Sequence, residues 1–197
     1  MPAKVDGLIL AAGLSTRAKA FKLGLRVEDK TIIERSVEGM YNICSKVIVV
    51  VGYRSEIVSD ILSKYPRVEL VYNEKYIDGM FSSVKVGLKH IEKDRFFFIP
   101  GDYPLIKKST YKEMLAADGD IVLPVYERRK GHPILLKSYV IDEILQSSKY
   151  ANMREFINSH GFVTVSVDDP GILMDVDTIE DYENIMNHVK TPCPKSG

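Results

Sequence analysis

The chain has 197 residues, 45% of them hydrophobic, and its 27 Lys+Arg balance 27 Asp+Glu to a formal net charge of zero. That balance removes the long-range field that recruits DNA, RNA or an anionic membrane, so any anion site has to be built locally. No apolar run is long enough to span a bilayer, no signal-peptide pattern precedes the first strand-like segment, and Cys44 and Cys193 lack metal-ligand spacing. A soluble cytoplasmic protein is expected, with one domain over residues 1–190 and a flexible tail over 191–197.

In chain order, Val5 to Ala12 reads as a buried strand and Thr31 to Ile43 as a helix, with Thr31 and Glu34 at capping-box spacing. Lys46 to Val51 is a strand, Ser55 to Lys64 a helix, Val68 to Tyr72 a strand, and Met80 to Ile91 a helix entered through Gly79. Arg95 to Pro100 follows as a strand. This alternation gives parallel strands with right-handed crossovers, so the expected fold is α/β, a doubly wound, mostly parallel sheet with helices on both faces. Further on, Ile121 to Val125 and Pro133 to Leu136 read as strands around a turn-rich segment. Val140 to Leu145 and Met153 to His160 read as helices, Phe162 to Val167 as a strand, and Thr178 to His188 as a closing helix with Thr178 as N-cap.

Ligands of open α/β sheets bind beyond the carboxyl ends of the strands, and the first such end here is the loop from Gly13 to Lys22 after Leu10, Ala11 and Ala12. Gly13 lets backbone N–H groups approach an anion, Ser15 and Thr16 add hydroxyl donors, and Arg17 and Lys22 bring charge suited to a polyphosphate. A dinucleotide-binding GxGxxG needs a glycine at Ser15, and a P-loop needs a Gly-Lys-Ser/Thr run that is absent. Composition alone leaves this loop open between a triphosphate cradle and a solvated basic turn.

Downstream, Gly79 precedes a helix with Ser82 and Ser83 in its first turn, where free N–H groups and hydroxyls can meet a base or phosphate, or simply cap the helix. Asp102 ends an apolar strand, and Asp175 and Asp177 arrive together much later. Mg²⁺ takes one or two such carboxylates with phosphate oxygens and water, although each Asp also suits a turn or a helix N-terminus. The basic turn of Arg128, Arg129, Lys130, Gly131 and His132 suits an anionic acceptor or a hairpin tip. Asp168 and Asp169 read as turn residues and solvated charge, and His90, His160 and His188 as structural or exposed.

LILAAGLSTRAKAFK resembles the LAAGxSxRMGxxK signature of the molybdopterin nucleotidyltransferase-like family, with Ala18 and Lys19 in place of Met-Gly. NEKYIDGMFSSVKVGL, GDYPLI, ERRKGHPILL and MDVDTIEDY resemble further elements of that family in the same order, covering nearly all of the chain up to His188. The resemblance implies a nucleotide site made of Leu10, Ala11, Ala12, Gly13, Ser15, Arg17, Lys22, Ser82 and Ser83. It implies Mg²⁺ on Asp102 and Asp175, and an acceptor side with Gly131, His132 and Asp177.

The activity so implied is transfer of a nucleoside monophosphate to a phosphate-bearing small molecule, with Arg17, Lys22 and Asp102 catalytic and pyrophosphate released. Ala12 stands where guanylyltransferase members carry glycine, which favours CTP over GTP. With the GHP element it points to molybdopterin as acceptor and a molybdoenzyme as recipient of the product. A sugar- or alcohol-phosphate acceptor, guanylyl transfer, and a nucleotide-binding regulator without turnover are the alternatives.

Overall fold

A computed structural model describes residues 5–13, 21–146 and 149–190. The expected tail over 191–197 lies outside them, as do Cys193 and the loop residues Ser15, Thr16, Arg17, Ala18 and Lys19. Strand β1 (Val5–Ala11) is buried along its whole length, as expected of an apolar run covered on both faces. A two-residue hairpin, β2 (Arg26–Val27) and β3 (Lys30–Thr31), leads into helix α1 (Ile32–Tyr41), whose N-terminus is closed by the reciprocal Thr31–Glu34 capping box. Cys44 is buried in the turn after this helix rather than within it.

The chain continues through β4 (Val47–Val51), α2 (Ser55–Leu62), β5 (Val68–Tyr72), α3 (Met80–Leu88), β6 (Arg95–Pro100) and α4 (Lys108–Ala116). Then come β7 (Ile121–Tyr126), β8 (Arg129–Lys130), β9 (Ile134–Lys137), α5 (Ile141–Gln146), α6 (Met153–His160), β10 (Val163–Ser166) and α7 (Ile179–Lys190). The sheet runs β10-β7-β9-β6-β1-β4-β5, with β8 beside β7. Strand β9 is antiparallel to both its neighbours, while β1, β4, β5 and β6 pair in parallel. The expected doubly wound, mostly parallel sheet is therefore present.

Period-two alternation splits the strands between two cores. Ile9, Val47, Val49, Phe97 and Ile99 face α1, α2, α4 and α7, whereas Leu8, Leu10, Ile48, Phe96 and Phe98 face α3, α5 and α6. Strand order turns around at β1: the chain steps outward through β4 and β5, then β6 returns to the opposite side of β1. That reversal opens a crevice at the carboxyl ends of β1 and β6, where α/β sheets bind ligands.

Helix α4 has no side-chain cap of its own at Lys107. Its start is held instead by Asp169, from 59 residues further along, which accepts hydrogen bonds from Thr110 Oγ1 at 2.6 Å and from the Lys107 N–H at 2.8 Å. The other oxygen of Asp169 takes the Gly171 N–H at 3.0 Å. Asp169 is thus 1% exposed, not solvated charge as its place beside Pro170 suggests, because three donors replace its water. Asp168 next to it is exposed and contributes its carbonyl to Lys107 Nζ.

The two neighbours should respond oppositely to truncation. Asp169→Ala strands three donors and is expected to lower unfolding free energy by about 2–4 kcal/mol in urea titration. Asp168→Ala should stay within about 0.5 kcal/mol of the parent.

Candidate active site

The crevice is built by register. Leu10 of β1 stands opposite Pro100 of β6, and the Gly101 N–H donates to the Leu10 carbonyl at 2.8 Å. A Cβ at Gly101 would lie 3.0 Å from that carbonyl oxygen and from Ile33 Cδ1, so glycine permits the close passage that turns Asp102 out of the sheet. Ser36, on the second turn of α1, places its hydroxyl 2.9 Å from the Gly101 carbonyl and 3.2 Å from that of Tyr103, which fixes both sides of Asp102. Ser36 escapes sequence reading because a serine inside an apolar helix face carries no motif.

Lys22 begins a short 3-10 turn and is flanked by the buried side chains of Phe21 and Leu23, which anchor its backbone. Its ammonium donates to Asp102 Oδ2 at 2.6 Å and to Asp177 Oδ1 at 3.0 Å, joining segments 80 and 155 residues apart. Burial disfavours the charged amine, yet the attraction of Asp102 and then of Asp177 outweighs it and raises the Lys22 pKa above its ordinary value. Lys22 is therefore charged at any physiological pH.

The third carboxylate comes with Val176. This residue is fully buried, and its N–H donates to the Asp102 carbonyl at 3.0 Å, so the residues on either side of it are carried to the crevice together. Asp177 turns to Lys22, while Asp175 lines the adjoining cavity. Burial, and then the negative charge of Asp102, Asp177 and Asp181, pushes the Asp175 carboxyl above its ordinary range despite a backbone hydrogen bond that favours the carboxylate. Asp181 is committed to capping α7, accepting from the Thr178 N–H and hydroxyl at 2.7 and 2.8 Å.

Two carboxylates thus hold one ammonium with Asp175 alongside, and Asp102 keeps a buried Oδ1 without a partner. Hard oxygen donors in negative surplus fit a divalent cation. Among the described residues no three His, Cys, Asp or Glu side chains are grouped to enclose a metal. A divalent cation held by Asp102 and Asp175 would complete its shell with other oxygen donors.

At the carboxyl end of β1, Leu10, Ala11 and Ala12 are buried and Gly13 is exposed, with open space where its Cβ would stand. Ala12 packs against Gly52, where an added Cβ would sit 3.1 Å from the alanine methyl and 2.6 Å from Tyr76 Cβ. Ser82 and Ser83 begin α3 as expected, but both hydroxyls accept from Asn73 Nδ2 at 2.9 Å, and Ser82 also donates to the Gly79 carbonyl at 2.8 Å. Their present work is to bind α3 to the end of β5.

A cavity of about 730 Å³ adjoins Asp175, lined by Gly131, His132, Tyr103, Phe98, Phe81 and Arg154 among others. A Cβ at Gly131 would lie 2.2 Å from the Ile172 carbonyl oxygen, and the His132 N–H donates to that same oxygen at 3.0 Å. The glycine is what lets the hairpin close on this turn. The His132 ring stands edge-on to Tyr103 at 4.9 Å, and burial pushes its pKa down to about 4, against a backbone hydrogen bond to Phe98 that favours the cation. The structure thus brings Lys22, Asp102, Asp175 and Asp177 together and sets Gly131 and His132 on the cavity beside them.

A protein-family model described as the MobA-like NTP transferase domain matches residues 7–165. The molybdenum cofactor cytidylyltransferase of Escherichia coli (strain K12) is 27% identical over 179 residues, 90% of this chain and 93% of that protein. A probable molybdenum cofactor guanylyltransferase of Methanosarcina mazei is 25% identical over 94% of this chain and 91% of its own length. Among solved structures, Rv0371C of Mycobacterium tuberculosis H37Rv in complex with manganese superposes with a TM-score of 0.75 at 20% identity, covering 93% of this chain and 98% of that one.

His132 offers a test of the cavity wall. Its folded pKa lies below the ordinary 6.5, so its neutral form favours the fold; that contribution is complete above pH 6.5 and is lost as pH falls towards 4. Between pH 7 and 4.5 the native protein should lose about 2 kcal/mol more unfolding free energy than His132→Phe, measured in urea at each pH. Equal losses in the two proteins would show that the ring is not desolvated.

Proposed function

The chain belongs to the MobA-like NTP transferase family, and from that membership we propose that it transfers CMP from CTP to a phosphate-bearing acceptor, molybdopterin, with Mg²⁺ and release of pyrophosphate. The observation that carries the reading is Lys22 held between Asp102 and Asp177, with Asp175 alongside, at the strand-order reversal.

An acceptor phosphate oxygen attacks the α-phosphorus; the new P–O bond forms as the bond to the β-phosphate oxygen breaks, and pyrophosphate leaves with the electron pair. No covalent enzyme intermediate is required, so the protein's task is positioning and charge stabilisation. Asp102 and Asp175 would hold Mg²⁺, which supplies charge neutralisation at the phosphates. Lys22, charged throughout the physiological range, presents a positive group to the α-phosphate as negative charge develops. Asp177 keeps that ammonium in place. The family likeness assigns Arg17 to the β- and γ-phosphates, with Gly13 and Ser15 lining the same loop, and Ala12 to the base side, where it favours the smaller pyrimidine.

Gly131 and His132 serve the acceptor. Gly131 brings backbone close to the cavity, and a neutral His132 adds an aromatic wall with Tyr103 rather than a second cation. The E. coli relative is named for cytidylyl transfer to the same cofactor, and it aligns over nine-tenths of this chain. A molybdoenzyme is the expected recipient of the product.

Pyrophosphate release with Mg²⁺, molybdopterin and each ribonucleotide in turn tests activity, base and acceptor together. CTP should be the fastest; faster release from GTP would transfer the protein to the guanylyl branch, and nucleotide binding without release would mark a regulator. Lys22→Ala and Asp102→Ala are each expected to lower turnover on the order of 10²–10³-fold with circular dichroism unchanged. Near-parent turnover from either variant would remove that residue from the chemistry.

A further inference from the structure

Arg154 is the second residue of α6, in the first turn, where aligned peptide dipoles place partial positive charge and a cation is disfavoured. The fold does not compensate it. Glu155 caps the helix start, accepting from the Ala151 N–H at 2.9 Å, and Glu143 is taken by Tyr150 and His160. Among the described residues Arg154 has no hydrogen bond, ion pair or ring contact. Met153, Phe156 and Ile157 turn one side of α6 into the core, and Arg154 and Asn158, four residues apart, line the cavity beside Asp175.

A hairpin turn adjoins the same space. Strands β7 and β8 are joined by Glu127 and Arg128, both at positive φ, 47° and 66°, without a glycine. Two successive left-handed residues match the twist of a two-residue hairpin but are unfavourable for side chains of this kind. The turn delivers Arg129 and Lys130 to the cavity, with Lys130 Nζ 4.5 Å from the centre of the Phe162 ring. Among the described residues three cations therefore line a cavity whose one carboxylate is Asp175, in a chain of zero net charge, while Lys22, Asp102 and Asp177 lie outside its lining. The rest of the wall is largely apolar, including Phe81, Phe98 and Phe162.

We propose that Arg154, assisted by Asn158 and Lys130, forms an anion subsite that holds an acidic group of the acceptor against this apolar wall and so sets acceptor specificity. The inference rests on the nucleotidyl-transfer reading for the word acceptor. The subsite itself rests on three cations, Arg154 without a protein partner among them, gathered on one largely apolar cavity of about 730 Å³. Arg suits the task because its planar fork pairs with two oxygens of a phosphate or carboxylate at once.

The test uses the full chain and three nitroaromatic probes, 4-nitrophenyl phosphate, 4-nitrobenzoate and the neutral 4-nitrobenzyl alcohol. Their binding is titrated with and without Mg²⁺ and a saturating α,β-methylene analogue of CTP. The parent should bind at least one of the two anionic probes about tenfold or more tighter than the alcohol, and which of them is preferred separates phosphate from carboxylate recognition. Arg154→Ala should bring that preference to within about twofold, Arg154→Lys should retain part of it, and affinity for the CTP analogue should not change.

A preference that persists in Arg154→Ala, or that is absent from the parent, overturns the subsite. So does one that vanishes once the analogue is bound, because the anion then occupies the nucleotide half. Failure of the analogue to bind, with the Arg154-dependent preference intact, would instead overturn nucleotidyl transfer and leave the anion subsite standing.

Discussion

The ammonium of Lys22 ties three distant parts of the chain into one site. Exposed ion pairs contribute about 0–1 kcal/mol each, and the pairs at the rim of the sheet, such as Lys46 with Glu92, belong to that class. Lys22 and Asp102 differ in that both side chains are only 15% exposed, so neither is well solvated without the other. Pairing of β1 with β6 brings the contact about, because Lys22 follows the first of these adjacent strands and Asp102 the second. Chemistry at this place therefore presupposes the sheet.

Fixed backbone ties do the remaining positioning. Ser36 holds the carbonyls around Asp102, Val176 binds the Asp102 carbonyl, and Asp169 joins the start of α4 to the turn that leads to Asp175. Together they keep three carboxylates in one crevice, where burial first and then the neighbouring negative charge make the Asp175 carboxyl hold its proton more tightly than usual. Such a surplus of like charge opposes the folded state, and a bound divalent cation with phosphates relieves it. The cavity beside it carries the opposite sign, with Arg129, Lys130 and Arg154 on a largely apolar wall.

Much of the fold was legible in the chain. The bounds of β5, β6 and α6 follow directly from apolar runs and helical spacing, and the Thr31–Glu34 and Thr178–Asp181 caps follow from spacing of three. Helix α4 was not, because its buried Thr110, Tyr111 and Met114 form a narrow stripe among lysines and its cap comes from Asp169. The β2–β3 hairpin was missed because two-residue strands carry no periodicity. In the site, Lys22, Asp102, Asp175 and Asp177 were named from their motifs, whereas Ser36 and Gly52 were not and Asp169 was read as a turn residue, since each acts through neighbours far away in sequence.

By itself the sequence determined which side chains are available and which elements carry them, because hydrophobic period, caps and turn residues are local properties that survive in an isolated segment. Tertiary structure alone decided which of those side chains meet. Strand order reverses at β1, β9 runs against its neighbours, and Val176 docks on Asp102; only then does the Lys22 ammonium meet a carboxylate 155 positions away. The same packing decided that Asp169 is a buried tether and Ser83 part of an internal network, while Arg154 is left without a partner beside a cavity. Distance through space, burial and the presence or absence of a counter-ion are properties of the assembled layers, and no local pattern encodes them.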